Sequence, residues 1–138
     1  VERGRGDLAL ARITAGFEAW RGRAIEPVVR ASLERLLPDQ QWPAVHEVGG
    51  WWPRNNTPEI DLVGADHSPA SAVSFVGMIK WRSKGSVTKA EVDALATDAT
   101  AVPGVTVSTP LVAVCASGRV RDRRITQSWT AADLLNAW

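Results

Sequence analysis

The stretch that decides the fold runs from Ile60 to Trp81. It begins within Glu59-Ile60-Asp61-Leu62-Val63 and ends on Gly77-Met78-Ile79-Lys80-Trp81. Each end reads as a buried strand with a charged residue in its middle. A charge inside a strand is costly unless it has a partner or a task. Ala65 to Ser71 is turn-rich, so the two strands lie next to each other, and period two puts Met78 and Lys80 on one strand face. Asp61 can face the same way. The expectation is a single pocket holding Asp61 and Lys80. A cross-strand salt bridge between them is the simpler reading of the same two residues.

Working outward, Ala44 to Trp52 is a further strand, separated by the turn Arg54-Asn55-Asn56-Thr57-Pro58 from Glu59 to Gly64, which carries Ile60 and Leu62 on one face. Ala72 to Trp81 follows, with Phe75 and Ile79 on one face and Val76, Met78 and Lys80 on the other. These three form an antiparallel meander. Thr88-Lys89-Ala90-Glu91 is a capping box that opens a helix to about Ala101. The apolar run Leu111 to Cys115 is a strand buried on both faces. Residues 124–129 make an edge strand, and Thr130 caps a final helix. N-terminal to all of this, Asp7 caps a helix to about Trp20 with Leu8, Ala11, Ala15 and Ile13 on its apolar side. Gly22 interrupts it, and a second helix covers Ala24 to Leu37, stopped by Pro38. Glu26 sits in the first turn of that second helix, where a carboxylate favours the helix dipole. Strand–helix–strand order implies a sheet covered on both faces, with a crossover after the third strand.

The 138 residues suit one domain, and the hydrophobic share of 45% and charged share of 22% are those of a globular protein. No apolar run approaches the ~20 residues of a membrane span, and the N-terminus has no signal-peptide h-region. A lone Cys115 excludes an internal disulfide and, with two histidines, a thiolate zinc site. A cytoplasmic protein is expected. The net charge of +1 makes no global case for nucleic acid. Two local clusters do: Lys80, Arg82, Lys84 and Lys89, and Arg119, Arg121, Arg123 and Arg124. The chain starts at Val1 and its only methionine is Met78, so it is read as a piece of a longer polypeptide.

Glu26, Asp61 and Lys80 in this order suit phosphodiester cleavage. Carboxylates hold Mg²⁺, the ion lowers the pKa of a bound water, and the lysine steadies the attacking hydroxide. At this point the sequence resembles the PD-(D/E)XK nuclease superfamily, and more closely the C-terminal domain of prokaryotic AAA-type (DEXX-box) ATPases. The stretches that carry the resemblance are Gly22-Arg23-Ala24-Ile25-Glu26-Pro27, Val48-Gly49-Gly50-Trp51-Trp52, Glu59 to Val63, Gly77 to Trp81 and Ala132 to Trp138.

The resemblance implies an α/β fold with a restriction-endonuclease-like core: a mixed sheet of four or five strands flanked by helices. It divides the chain into a linker and N-terminal helix (1–22) and the nuclease-like domain (23–138). It makes Glu26 the helix acid, Asp61 the main Mg²⁺ ligand and Lys80 the catalytic lysine, with the Ile79 carbonyl as a further ligand. Lys80, Arg82, Lys84 and Lys89 would meet nucleic acid, DNA in preference. No Gly-x-x-x-x-Gly-Lys-Ser/Thr phosphate loop occurs, so an ATPase module would lie upstream. The departure is Met78, where an active member has Glu or Asp. A thioether is a poor ligand for Mg²⁺. Glu59, Glu91 and Glu47 are the candidate replacements, Glu91 being already explained by its cap. The expected function is nucleic-acid binding with reduced or lost cleavage. The alternatives are a regulatory, protein-binding domain of the ATPase, or an active nuclease using a migrated carboxylate. Trp20, Trp42, Trp51, Trp129 and Trp138 are expected as core or interface anchors, with Trp52 and Trp81 flanking the pocket.

Overall fold

The computed structural model describes residues 22–138. The helix expected over Asp7 to Trp20 lies outside them, as does Trp20 itself. Helix α1 covers residues 22–36, with Gly22 its first described residue. Strands β1 (Glu47–Trp51), β2 (Ile60–Ala65) and β3 (Val73–Lys80) follow, then helix α2 (Lys89–Ala99), strands β4 (Leu111–Cys115) and β5 (Ile125–Trp129), and helix α3 (Ala131–Leu135).

The five strands form one sheet in the order β1-β2-β3-β4-β5. β1, β2 and β3 are antiparallel neighbours, whereas β4 runs parallel to β3 and β5 parallel to β4. The fold is therefore α/β with a mixed five-stranded sheet, consistent with a restriction-endonuclease-like core. The meander, the crossover through α2 and the doubly buried β4 all match the sequence reading. The connection from β4 to β5 has no helix. It runs along the edge strand instead, with Arg119 donating to the Ser128 carbonyl at 3.1 Å and the Val120 N–H to Ser128 Oγ at 3.1 Å. These bonds occupy polar groups at the β5 edge.

Alternation along the strands feeds two apolar layers. Leu62, Phe75, Ile79, Val112, Val114 and Trp129 pack with Val29 and Leu33 of α1 and Leu134 of α3. Val76, Met78 and Ala113 pack on the opposite face with Val92, Leu95 and Ala99 of α2. Both α2 and α3 begin with full capping boxes, at Thr88/Glu91 and Thr130/Asp133. Helix α1 is fastened to the meander by side chains: Glu34 accepts the Val48 N–H at 2.9 Å, and Arg30 Nε donates to the Asp61 carbonyl at 3.0 Å.

One expectation about faces is overturned. Ile60 and Leu62 belong to opposite layers. From Gly49↔Val63 to Trp51↔Ile60, β1 advances two residues while β2 advances three. The extra residue is a β-bulge, and it reverses the alternation between Ile60 and Leu62.

Candidate functional site

The bulge places Asp61. The paired register of β2 with β3 ends at Leu62↔Gly77, and beyond it the Ile79 N–H donates to Asp61 Oδ2 at 2.9 Å. The aspartate side chain thus takes the place of a backbone acceptor where the ladder stops. On the other side its carbonyl is held by Arg30, whose second nitrogen donates to Glu26 Oε2 at 3.3 Å. Arg30 lies close across β1 because Gly50 leaves it room: a Cβ there would come within 2.9 Å of the guanidinium. Sequence reasoning passed over Arg30. The available signal was its position one helical turn after Glu26, opposite a pair of glycines in a strand.

Asp61 stands at the wall between two clefts. One, of about 210 Å³, is lined by Glu26, Arg30, Trp52, Asn56, Glu59 and Asp61. The other, of about 300 Å³, is lined by Glu59, Asp61, Met78, Lys80, Glu91 and Asp98 among others. Asp61 and Lys80 do face one pocket. Glu26 reaches Asp61 from the neighbouring cleft, on the side away from Lys80. Its carboxyl titrates above the ordinary carboxylate range because burial and the negative charges of Asp61 and Glu59 outweigh the Arg30 guanidinium.

Lys80 pairs with Glu91 at 3.4 Å, and Arg82 forks onto the same carboxylate. A cross-strand Asp61–Lys80 salt bridge does not form: Asp61 spends Oδ2 on Ile79 and Lys80 turns to α2. Glu91 is also the capping-box acid, accepting the Thr88 N–H at 3.0 Å. Burial opposes its ionisation, but the Arg82 and Thr88 hydrogen bonds and the charges of Lys80 and Arg82 prevail and hold it at about 2.

Met78 is buried at 5% exposure, packed with Val76 and the apolar side of α2. No carboxylate has moved in to complete a metal-holding set: among the described residues no three of His, Cys, Asp and Glu converge for a cation. Glu26 and Asp61 are each partly committed to protein donors, Arg30 and Ile79 respectively. The described residues do not fit a resident Mg²⁺.

Of the cations expected to meet nucleic acid, Lys80 and Arg82 pair with Glu91 and Lys89 pairs with Asp93, while Lys84 is exposed on the loop. In the second cluster Arg124 is held by Asp93 and Asp122, and Arg119 by Asp133. Trp42 and Trp129 are core residues, stacked edge-on or tilted against Phe75 at 5.0 and 6.0 Å. Trp51 is partly buried on the α2 side. Trp138 is 63% exposed and is not a core residue. Trp52 does line the Asp61 cleft, but Trp81 packs on the α1/α3 side, because period two sends it to the face of Ile79.

The fold and site define an α/β domain with a lysine-and-carboxylate cleft at the bulged start of β2 and the end of β3. The chain belongs to the DUF234 family, described as archaea bacterial proteins of unknown function, which it matches over residues 1–97. That span covers α1, the meander and all but the last two residues of α2. No curated protein and no solved structure matches the chain. Among the described residues no helix is long and apolar enough to cross a membrane.

Proposed function

We propose that this chain is the nuclease-like C-terminal domain of a larger ATPase, binding nucleic acid, DNA in preference, with degenerate metal-dependent phosphodiesterase activity. The observation that carries the reading is that Asp61 and Lys80 line one cleft together with Met78. The acid–lysine pair is what such a site needs to orient water on a phosphate, and the buried thioether leaves it without the second hard ligand. Lys80, Arg82, Lys84 and Lys89 supply the phosphate contacts. Lys84 is exposed, the Lys89–Asp93 pair is exposed and weak, and Lys80 and Arg82 are partly exposed beside Glu91, where a phosphate would compete with the carboxylate. A titration of DNA affinity against salt tests the binding. Contacts at these four cations give log K falling steeply with log salt, and Lys84→Ala reduces the slope by about one. Absence of binding at low salt contradicts the reading.

The same ion pairing favours a second reading, a regulatory domain that binds protein and never touches nucleic acid. It predicts no DNA affinity at any salt concentration and no effect of Lys84→Ala.

A further inference from the structure

The cleft beside Asp61 is lined by four carboxylates, Glu59, Asp61, Glu91 and Asp98, and by one cation, Lys80. That balance repels a phosphate, and the lysine is turned to Glu91 at 3.4 Å. Glu91 does not need it. The Arg82 fork takes both carboxylate oxygens, and Oε1 also accepts the Thr88 N–H at 3.0 Å and the Thr88 hydroxyl at 3.1 Å. Lys80 is therefore a surplus donor on a carboxylate that is already satisfied. Withdrawing it strands no buried charge, because Glu91 keeps Arg82 and the Lys80 side chain is partly exposed.

The seat that holds Glu91 is fixed on both sides. Arg82 also donates to the Ser86 carbonyl at 3.3 Å, and Ser117, just beyond β4, donates to the Gly85 carbonyl, so the loop from β3 to α2 is pinned across the sheet. The part free to move is the Lys80 side chain, a point charge on a flexible four-carbon stem. We infer that Glu91 holds Lys80 aside: the lysine rests on Glu91 until a phosphate group enters the cleft, then swings to it while Arg82 and Thr88 keep the carboxylate in place. Glu91 thereby sets the affinity of the cleft for phosphate. The inference rests on the nucleic-acid reading for the source of that phosphate, a backbone phosphodiester, but not for the exchange of Lys80 between two anions.

Two measurements on the full chain test it: affinity for duplex DNA at one salt concentration, and the shift of the urea unfolding midpoint in inorganic pyrophosphate, which needs no nucleic acid. Glu91→Gln keeps the cap, since Gln serves a capping box as Glu does, and releases Lys80. It should bind DNA about tenfold more tightly than wild type, and adding Lys80→Ala should erase the gain. Asp98→Asn removes the same charge from the same cleft without releasing the lysine, and should change affinity by less than about threefold. Pyrophosphate should raise the midpoint of Glu91→Gln more than that of wild type. A gain in Glu91→Gln no larger than in Asp98→Asn, or one that survives Lys80→Ala, overturns the inference. If no protein in the set binds DNA, the nucleic-acid reading falls and pyrophosphate decides: equal midpoint shifts in wild type and Glu91→Gln, or none in either, overturn the inference as well. Should Glu91→Gln not fold, Glu91→Asp takes its place. It keeps the charge and the cap, as Asp133 does for α3, while drawing the carboxylate back from Lys80.

Discussion

Lys80, Arg82 and the backbone N–H of Thr88 converge on the Glu91 carboxylate and hold it at about 2 against an ordinary 4.5. A carboxyl depressed in the folded state binds fewer protons there than in the unfolded chain. Its stabilisation is therefore complete above about pH 4.5 and is lost as the pH falls toward about 2. Glu91→Gln should cost about 1–3 kcal/mol at pH 7, with the difference from wild type shrinking through that window, as urea unfolding at stepped pH will read. Glu26 behaves in the opposite sense. Its pKa is raised in the folded state, so the folded protein takes up the proton more readily, and stability rises as the pH falls through that raised value. Glu26→Gln keeps an acceptor for Arg30 and removes the repulsion from Asp61 and Glu59. It should stabilise the protein by about 0.5 kcal/mol at pH 7, the gain vanishing in acid. A loss of stability at pH 7 would contradict this electrostatic account.

At the scale of elements, α1 is tied to the meander through Arg30, and β1 makes room for it at Gly50. Gly50→Ala brings its Cβ to 2.9 Å from the Arg30 guanidinium, the far end of a flexible side chain, and to 3.3 Å from the Ile60 carbonyl. The guanidinium must move, weakening its bonds to Asp61 and Glu26, at a cost of about 1–2 kcal/mol. In an Arg30→Ala background the same substitution should cost markedly less. A double-mutant cycle by chemical unfolding measures the coupling, and strict additivity would show that Arg30 and Gly50 do not depend on each other. This tie also marks where the sequence stopped being legible. Periodicity and capping boxes located the strands, both later helices and the doubly buried β4, because those signals are local. The bulge at Asp61 has no local signature. It is a feature of the register of β1 on β2, and it decides which face Ile60 and Asp61 take. The commitment of Lys80 to Glu91 was hidden likewise, since Glu91 is fully explained by its cap until α2 is laid across β3.

At the scale of the whole molecule, the sheet separates two surfaces of different character. The α2 side bears the charged cleft at the ends of β2 and β3; the α1/α3 side bears an apolar groove. The order of Glu26, Asp61 and Lys80 was readable from sequence, and so was the place of Met78 on the strand face of Lys80. What the fold adds is that Met78 is packed into the α2 layer and that, among the described residues, no cluster of carboxylates has converged to hold a cation. The central claim is that this is a nuclease scaffold disarmed at that position. The most direct measurement is cleavage of duplex and single-stranded DNA in Mg²⁺ and Mn²⁺ by wild type, Met78→Glu, and Met78→Glu combined with Lys80→Ala. The account predicts cleavage by wild type at or near background, gained activity in Met78→Glu and its loss in the double variant. Robust cleavage by wild type, or a gain in Met78→Glu that survives removal of Lys80, would contradict it.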